Sequence, residues 1–98
     1  GFFHMAHIVN QAMELYDAGN YNEAVRLFRK HSRNNVHAQY GLAWCLYHGH
    51  CVERDAVEAM KWFERAANQE HLLAQFALSF AYHNGDGVER DSNKGDHW

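Results

Sequence analysis

An internal repeat constrains the fold of this chain more than any other feature of its sequence, and it appears when the chain is aligned with itself. An offset of 36 residues places residues 38–62 over residues 74–98 without a gap, and nine of the 25 pairs are identical. The identities are Ala38/Ala74, Gln39/Gln75, Leu42/Leu78, Gly49/Gly85, Val52/Val88, Glu53/Glu89, Arg54/Arg90, Asp55/Asp91 and Trp62/Trp98. Repeated units stack so that each packs mainly against its neighbours. The sequence therefore predicts a short array of similar units.

A weaker copy of the same unit lies upstream. Residues 9–16 precede residues 40–47 by 31, and after Gly19 the offset of the matching residues becomes 35. The first unit therefore has the same two segments joined by a shorter turn. We expect one helical-repeat domain over residues 1–98, with units at about 5–34, 36–69 and 71–98.

Composition and turn residues predict that every unit is helical. The chain has no proline, and its long segments are rich in good helix formers with apolar residues at spacings of three and four. Gly19, Gly49 and Gly85 follow these segments and tolerate the positive φ that ends a helix. Asp55, with Glu58 three residues later, has the spacing of a capping box. The predicted helices are 5–18, 21–32, 36–48, 55–68 and 71–84, with a stub at 92–98.

The last copy resembles the Sel1-like repeat, whose pattern is roughly A-x-x-x-L-G-x-x-Y-x-x-G-x-G-V-x-x-D-x-x-K-A-x-x-W. The matching residues are Ala74, Leu78, Tyr82, Gly85, Gly87, Val88, Asp91, Lys94 and Trp98. Ser79 and Gly95 stand where the family usually has Gly and Ala. The second copy departs at Leu46 for Tyr and at Cys51 for the second Gly, while the first copy is similar to the related tetratricopeptide repeat.

This resemblance implies both a fold and a function. The implied fold is all-α: an α-α superhelix, a right-handed solenoid of antiparallel helix pairs with about two and a half repeats. The implied function is that of a scaffold or adaptor which binds a partner protein or peptide on a concave surface lined by the first helices. The resemblance also implies that the chain has no catalytic residues of its own and no cofactor.

Large side chains form a row on each predicted first helix. They recur at i, i+4 and i+7, which puts each set on one stripe. Aromatic residues with a polar group are favoured as binding anchors. Alternatively, these side chains pack against the next helix pair. For Tyr40 and Phe76, packing and partner binding are equally favoured. The predicted partner-binding residues are Met13, Tyr16, Tyr40, Trp44, Tyr47, His48, Phe76, Phe80 and His83, with Asp17 and His37 as polar rim.

Nine histidines raise a metal-binding alternative. His48, His50 and Cys51 lie close in sequence, and His4 and His7 form a second pair. A structural zinc site needs four ligands that converge, and no second pair stands at zinc-finger spacing. We therefore expect surface histidines and two cysteine thiols, and keep a His/Cys-based metal-binding protein as the alternative function.

Charge and motif content argue against other classes. The net charge of −3 disfavours a nucleic-acid partner, which requires a clustered basic surface. No run of about 18 apolar residues predicts membrane insertion. No nucleophile with a base or phosphate loop has supporting spacing, so we expect no enzyme activity. Residues 1–5 read equally well as native sequence and as a leader left by cloning.

The last unit contains little of its second helix, since Trp98 comes seven residues after Asp91. We expect this edge to leave four apolar residues partly open: Leu72, Leu78, Phe80 and Tyr82. An uncovered apolar edge favours association. Either the chain forms a homo-oligomer through this edge, or the parent protein continues with more repeats.

Overall fold

The computed structural model describes residues 2–49, 54–85, 95 and 97–98, with only the backbone of residues 2–9. Most of these residues form five α-helices. The helices are α1 (Phe2–Asp17), α2 (Tyr21–His31), α3 (Val36–His48), α4 (Ala56–Ala67) and α5 (Leu72–Asn84). Their bounds agree with the predicted ones within one residue, except that α1 begins three residues earlier. Most of the predicted stub at 92–98 falls outside the described residues.

Consecutive helices pack against one another to form a layered array. α1 packs on α2, α2 on α3, α3 on α4 and α4 on α5, and α1 also touches α3. The described residues contain no β-strand. The all-α solenoid predicted from the repeat is therefore confirmed. None of the helices that the structure describes is long and apolar enough to cross a membrane.

Local capping explains where the helices begin and end. Gly49 and Gly85 adopt left-handed backbone conformations, with φ of 65° and 70°, immediately after α3 and α5. The Asp55 carboxylate accepts a hydrogen bond from the Glu58 backbone N–H at 2.9 Å, which confirms the predicted cap of α4. At α3 the Asn35 side chain accepts from two backbone N–H groups and fills the same role. Each cap satisfies N–H or C=O groups that have no partner inside the helix.

Small residues dominate the contacts between helices. The core combines fully buried alanines with a few large side chains. The fully buried large apolar side chains are Leu42, Phe63 and Leu78. The alanines with no exposed surface are Ala24, Ala38, Ala43, Ala59, Ala66 and Ala74.

Two glutamines, buried Gln39 and half-buried Gln75, tie their units to the preceding ones. Gln39 donates from Nε2 to the carbonyl oxygen of Ser32 at 2.8 Å, and its Oε1 accepts from the Gln69 amide at 2.7 Å. Gln75, the repeat equivalent of Gln39, donates to the carbonyl oxygen of Ala67 at 3.2 Å. A buried amide without such partners would destabilise the fold by about 1–3 kcal/mol. Both glutamines therefore bond to a backbone carbonyl at the end of the preceding helix, although the two acceptors differ by one position in the repeat.

The prediction of an open edge on α5 was half wrong. Leu72 and Phe80 are exposed, but Leu78 and Tyr82 are buried. Leu78 and Tyr82 lie on the same helical face as Ala74 and Ala81, and the Tyr82 hydroxyl donates to the Glu64 carboxylate on α4 at 2.7 Å. This face turns toward the preceding helix, and packing on α4 contributes to its burial.

Candidate partner-binding groove

A groove of about 370 Å³ opens on the face formed by α1, α3 and the start of α5. We call it the first-helix groove. Its volume lies within the range of about 300–1,000 Å³ found for binding pockets, and its lining is mainly apolar. The lining residues are Met13, Tyr16, Asp17, Phe28, His37, Tyr40, Gly41, Trp44, Cys45, His71 and Leu73.

Trp44 is the most prominent aromatic residue of the groove, with 38% of its surface exposed. Its indole Nε1–H donates to the Tyr16 hydroxyl at 2.9 Å, which links α3 to α1. The His48 ring lies 4.1 Å from the Trp44 ring, centroid to centroid. Trp44 is therefore held in one orientation while much of its surface stays accessible.

One wall of the groove consists of three rings where the second unit meets the third. The Tyr40 ring stacks on His71 with centroids 4.5 Å apart, and the His37 ring lies 5.5 Å from His71. His71 is also the N-cap of α5, since its Nδ1 accepts from the Ala74 backbone N–H at 3.2 Å. An imidazole that accepts at Nδ1 must be neutral, with its proton on Nε2.

The floor of the groove depends on a close contact between Phe28 of α2 and Gly41 of α3. Phe28 is buried, and its ring lies over Gly41 so closely that a Cβ there would approach ring atoms to 2.7 Å or less. Only glycine leaves room for this ring.

The predicted site residues separate into two groups. Met13, Tyr16, Tyr40 and Trp44 line the groove, as do the predicted rim residues Asp17 and His37. The other predicted residues do not line it: Tyr47, His48, Phe76, Phe80 and His83.

The contacts of the second group explain its different positions. Tyr47 packs on Phe63 of α4, with ring centroids 6.2 Å apart. The His83 ring lies against Gly95, where an added Cβ would come within 2.6 Å of it. Phe76 and Phe80 extend from α5 with 74% and 56% of their surface exposed. These two phenylalanines form an apolar surface on α5 outside the cavity.

Five lining residues were missed by the sequence prediction: Phe28, Gly41, Cys45, His71 and Leu73. Phe28 and Cys45 lie on helix faces that the periodicity assigns to packing, and both are buried. His71 did leave a signal, because the offset of 36 aligns it with Asn35, the cap of α3. Comparing caps between units would have placed His71 at the start of α5.

Burial shifts the pKa values of three groove residues, Tyr16, Tyr40 and His71. It raises the pKa of the Tyr16 and Tyr40 hydroxyls, so both are protonated phenols near neutral pH. Burial, with a smaller contribution from nearby His37, lowers the pKa of His71 below its usual 6.5. Both effects on His71 favour the neutral form that its capping bond requires.

We predict that His71 makes folding stability depend on pH. A histidine whose pKa is lowered by folding stabilises the folded chain above its unfolded pKa of about 6.5, and this contribution is lost as the pH falls through the lower folded pKa. His71→Asn keeps a capping oxygen that does not titrate. Denaturant unfolding near pH 7.5 and pH 5.5 should show a smaller loss of stability in the variant than in the natural chain. Equal losses would contradict the capping role, since the other histidines are common to both chains.

The metal-binding alternative gains no support from the described part of the chain. No group of three or more His, Cys, Asp or Glu side chains is placed there to hold a metal ion. His50 and Cys51 lie outside the described residues, and so do the side chains of His4 and His7.

Comparison with known families identifies the repeat. The Sel1 repeat family model matches residues 15–35, 36–71 and 72–98, which together are most of the chain. The chain belongs to the Sel1 repeat family. The resemblance seen in the last copy is thereby confirmed. Sel1 repeat proteins generally act in protein–protein interaction, and their fold is of the scaffold type, not typically enzymatic.

A solved Sel1 repeat structure has the same fold. The crystal structure of a Sel1 repeat protein from Oxalobacter formigenes is 35% identical in sequence and superposes with a TM-score of 0.84. The match covers 92% of this chain and 37% of that one, so this chain spans little more than a third of the other protein's length. A search of curated proteins found no significant match.

Proposed function

We propose that this Sel1 repeat chain is an interaction module that holds a segment of a partner protein in the first-helix groove. One observation carries the proposal. Trp44, a large amphipathic side chain, stays accessible in an apolar groove while its indole N–H is fixed by Tyr16 at 2.9 Å. An anchor that is already ordered loses little conformational entropy when a partner binds.

The surroundings of Trp44 fit this role. Met13, Tyr16 and Tyr40 supply apolar area on either side of it, and binding energy typically concentrates on such aromatic anchors. His48 supports the Trp44 ring from outside the groove. Phe76 and Phe80 extend the accessible apolar surface along α5, where a longer partner segment would continue.

We also infer that the module is not catalytic. The family's fold is of the scaffold type, and repeat solenoids typically bind partners along an extended concave surface. His71, which could serve as a proton acceptor in another setting, already uses its Nδ1 lone pair to cap α5.

We predict that Trp44→Ala and Phe80→Ala each weaken partner binding by more than about 1 kcal/mol, the usual cost of truncating an anchor. Affinity capture with the natural chain identifies candidate partners, and calorimetry with each purified candidate then compares the variants. Val57→Ala is the matched control, because Val57 is exposed on α4 and does not line the groove.

Circular dichroism separates loss of binding from loss of fold. We expect all three variants to keep their helical signal, since Trp44, Phe80 and Val57 are all exposed. The proposal fails if Val57→Ala weakens binding as much as Trp44→Ala. It also fails if Trp44→Ala unfolds the chain, because the ring would then be part of the core.

A further inference from the structure

We infer that the first-helix groove selects a basic side chain, arginine or lysine, of its partner, with the alkyl part among the aromatic rings and the charge beside Asp17. This inference rests on the proposed function and gives that groove its ligand chemistry. Three features of the groove support this selection: the negative charge at the end of α1, the aromatic rings of the lining and the charges of the lining residues.

The C-terminal end of α1 carries negative charge that its own sequence does not balance. Its last turn contains Glu14 and Asp17 and no basic residue. A helix C-terminus also carries a partial negative charge from its aligned peptide dipoles. Two other helices place arginine or lysine in their last turns, Arg29 and Lys30 in α2 and Arg65 in α4, where a positive charge is favourable. Asp17, which ends α1, lines the groove, so the unbalanced charge lies at the binding surface.

Aromatic rings in the same groove as Asp17 offer favourable surfaces for a cation. Tyr16, Tyr40 and Trp44 line the same groove, and the faces of such rings attract guanidinium and ammonium groups. The chain already uses this interaction elsewhere: Arg54 lies 5.1 Å from the centroid of the Tyr47 ring, and Arg65 lies 5.3 Å from that of Trp62. The apolar lining suits the methylene stem of an arginine or lysine, which packs along apolar surface while its charged end stays hydrated.

The charges of the lining distinguish a basic ligand from other ligands. Among the residues that the structure describes, neither lysine nor arginine lines the groove, and His71 is held neutral by its capping bond. An acidic side chain would be repelled by Asp17 and by the net charge of −3. An apolar side chain would fill the groove but would gain nothing from Asp17.

Three capped tripeptides test the selection: acetyl-Ala-Arg-Ala-amide, its citrulline analogue and its leucine analogue. Citrulline has the shape of arginine without the charge. The Trp44 indole N–H reports binding in ¹⁵N-resolved NMR titrations of the full chain near pH 7.5 and at low salt. We expect the arginine peptide to bind about five- to tenfold more tightly than the other two, the range that one ring contact and one exposed ion pair provide.

Two variants locate the charge that is responsible. Asp17→Asn should remove most of the preference for arginine over citrulline and weaken the arginine peptide much more than the leucine peptide. Glu23→Gln is the matched control, because it makes the same change in net charge at an exposed residue of α2 outside the groove. Salt at about 0.5 M should reduce the arginine preference as Asp17→Asn does, since it screens exposed charges.

The outcomes separate this inference from the proposed function. If the leucine peptide binds and shifts the Trp44 signal as strongly as the arginine peptide, the groove function stands and the basic selection is wrong. If Asp17→Asn and Glu23→Gln reduced the arginine preference equally, the electrostatic field of the whole protein would be its cause. The inference would then be wrong as well. If no peptide shifts the Trp44 signal at millimolar concentration, both the inference and the groove function are contradicted.

Discussion

Phe63→Ala is expected to lower the free energy of unfolding by about 3–5 kcal/mol, the cost of deleting a buried phenylalanine ring. A domain of this size has a total stability near the lower end of about 5–15 kcal/mol. The variant should therefore be largely unfolded, or close to it, at physiological temperature. Thermal and urea unfolding followed by circular dichroism at 222 nm would measure the loss.

The large effect follows from where Phe63 lies. It is only 2% exposed and packs from α4 against the rings of Tyr40 and Tyr47, with centroids 5.8 and 6.2 Å away. Removing it leaves a cavity between α3 and α4 whose aromatic walls cannot close around an alanine. Because Tyr40 is also a wall of the groove, any remaining folded population should have a disordered groove.

Phe76→Ala is the matched control for Phe63→Ala, since the same ring is deleted from a side chain that is 74% exposed. It should change stability by no more than about 0.5 kcal/mol, as surface substitutions usually do. Similar losses for the two variants would mean that Phe76 is buried in solution, for example by association of chains through α5. Light scattering on the natural chain would then reveal that association.

Much of the fold could be predicted because its signals are local. Gly49 and Gly85 permit the left-handed conformations that end α3 and α5, and the Asp55 side chain satisfies a backbone N–H at the start of α4. These effects depend on a few neighbouring residues. The repeat also predicted that each unit folds as a pair of helices, and each helix does pack on the next one along the chain.

The groove could be predicted only in part, because the direction in which a side chain points around the axis of α3 decides whether it lines the groove. Trp44 and Tyr47 were placed on one stripe, but three residues of α-helix leave about 60° between their directions. That angle is enough to turn Trp44 toward Tyr16 of α1 and Tyr47 toward Phe63 of α4. Periodicity within one helix cannot distinguish these directions, because they depend on where the neighbouring helices lie.

Substitution of Gly41 is expected to have the second large effect on stability, and no sequence pattern predicts it. Glycine inside a helix is normally a weakness, and Gly→Ala at such a site stabilises a helix by about 1 kcal/mol. At position 77, the repeat equivalent, the chain does have alanine. The difference lies in Phe28, whose buried ring occupies the space where a Cβ of residue 41 would be.

We therefore expect Gly41→Ala to destabilise the chain by about 2 kcal/mol. Overpacking typically costs about 1–3 kcal/mol, and several ring atoms within 2.7 Å of the new Cβ place this case near the upper limit, which outweighs the gain in helix propensity. The opposite change in the third unit, Ala77→Gly, should also destabilise, by at least about 0.5–1 kcal/mol, because helix propensity is lost together with the contacts that the partly buried Ala77 methyl group makes with the core.

A double-mutant cycle with Phe28→Leu tests the cause. A leucine at position 28 is smaller and can move away from a Cβ at position 41, so Gly41→Ala should cost less in the Phe28→Leu background than in the natural chain. The coupling free energy should be about 1 kcal/mol or more, as for residues in direct contact. If Gly41→Ala instead stabilises the natural chain, Phe28 moves aside at little cost. The groove floor would then tolerate side chains at position 41, and the shape of the groove would not depend on glycine there.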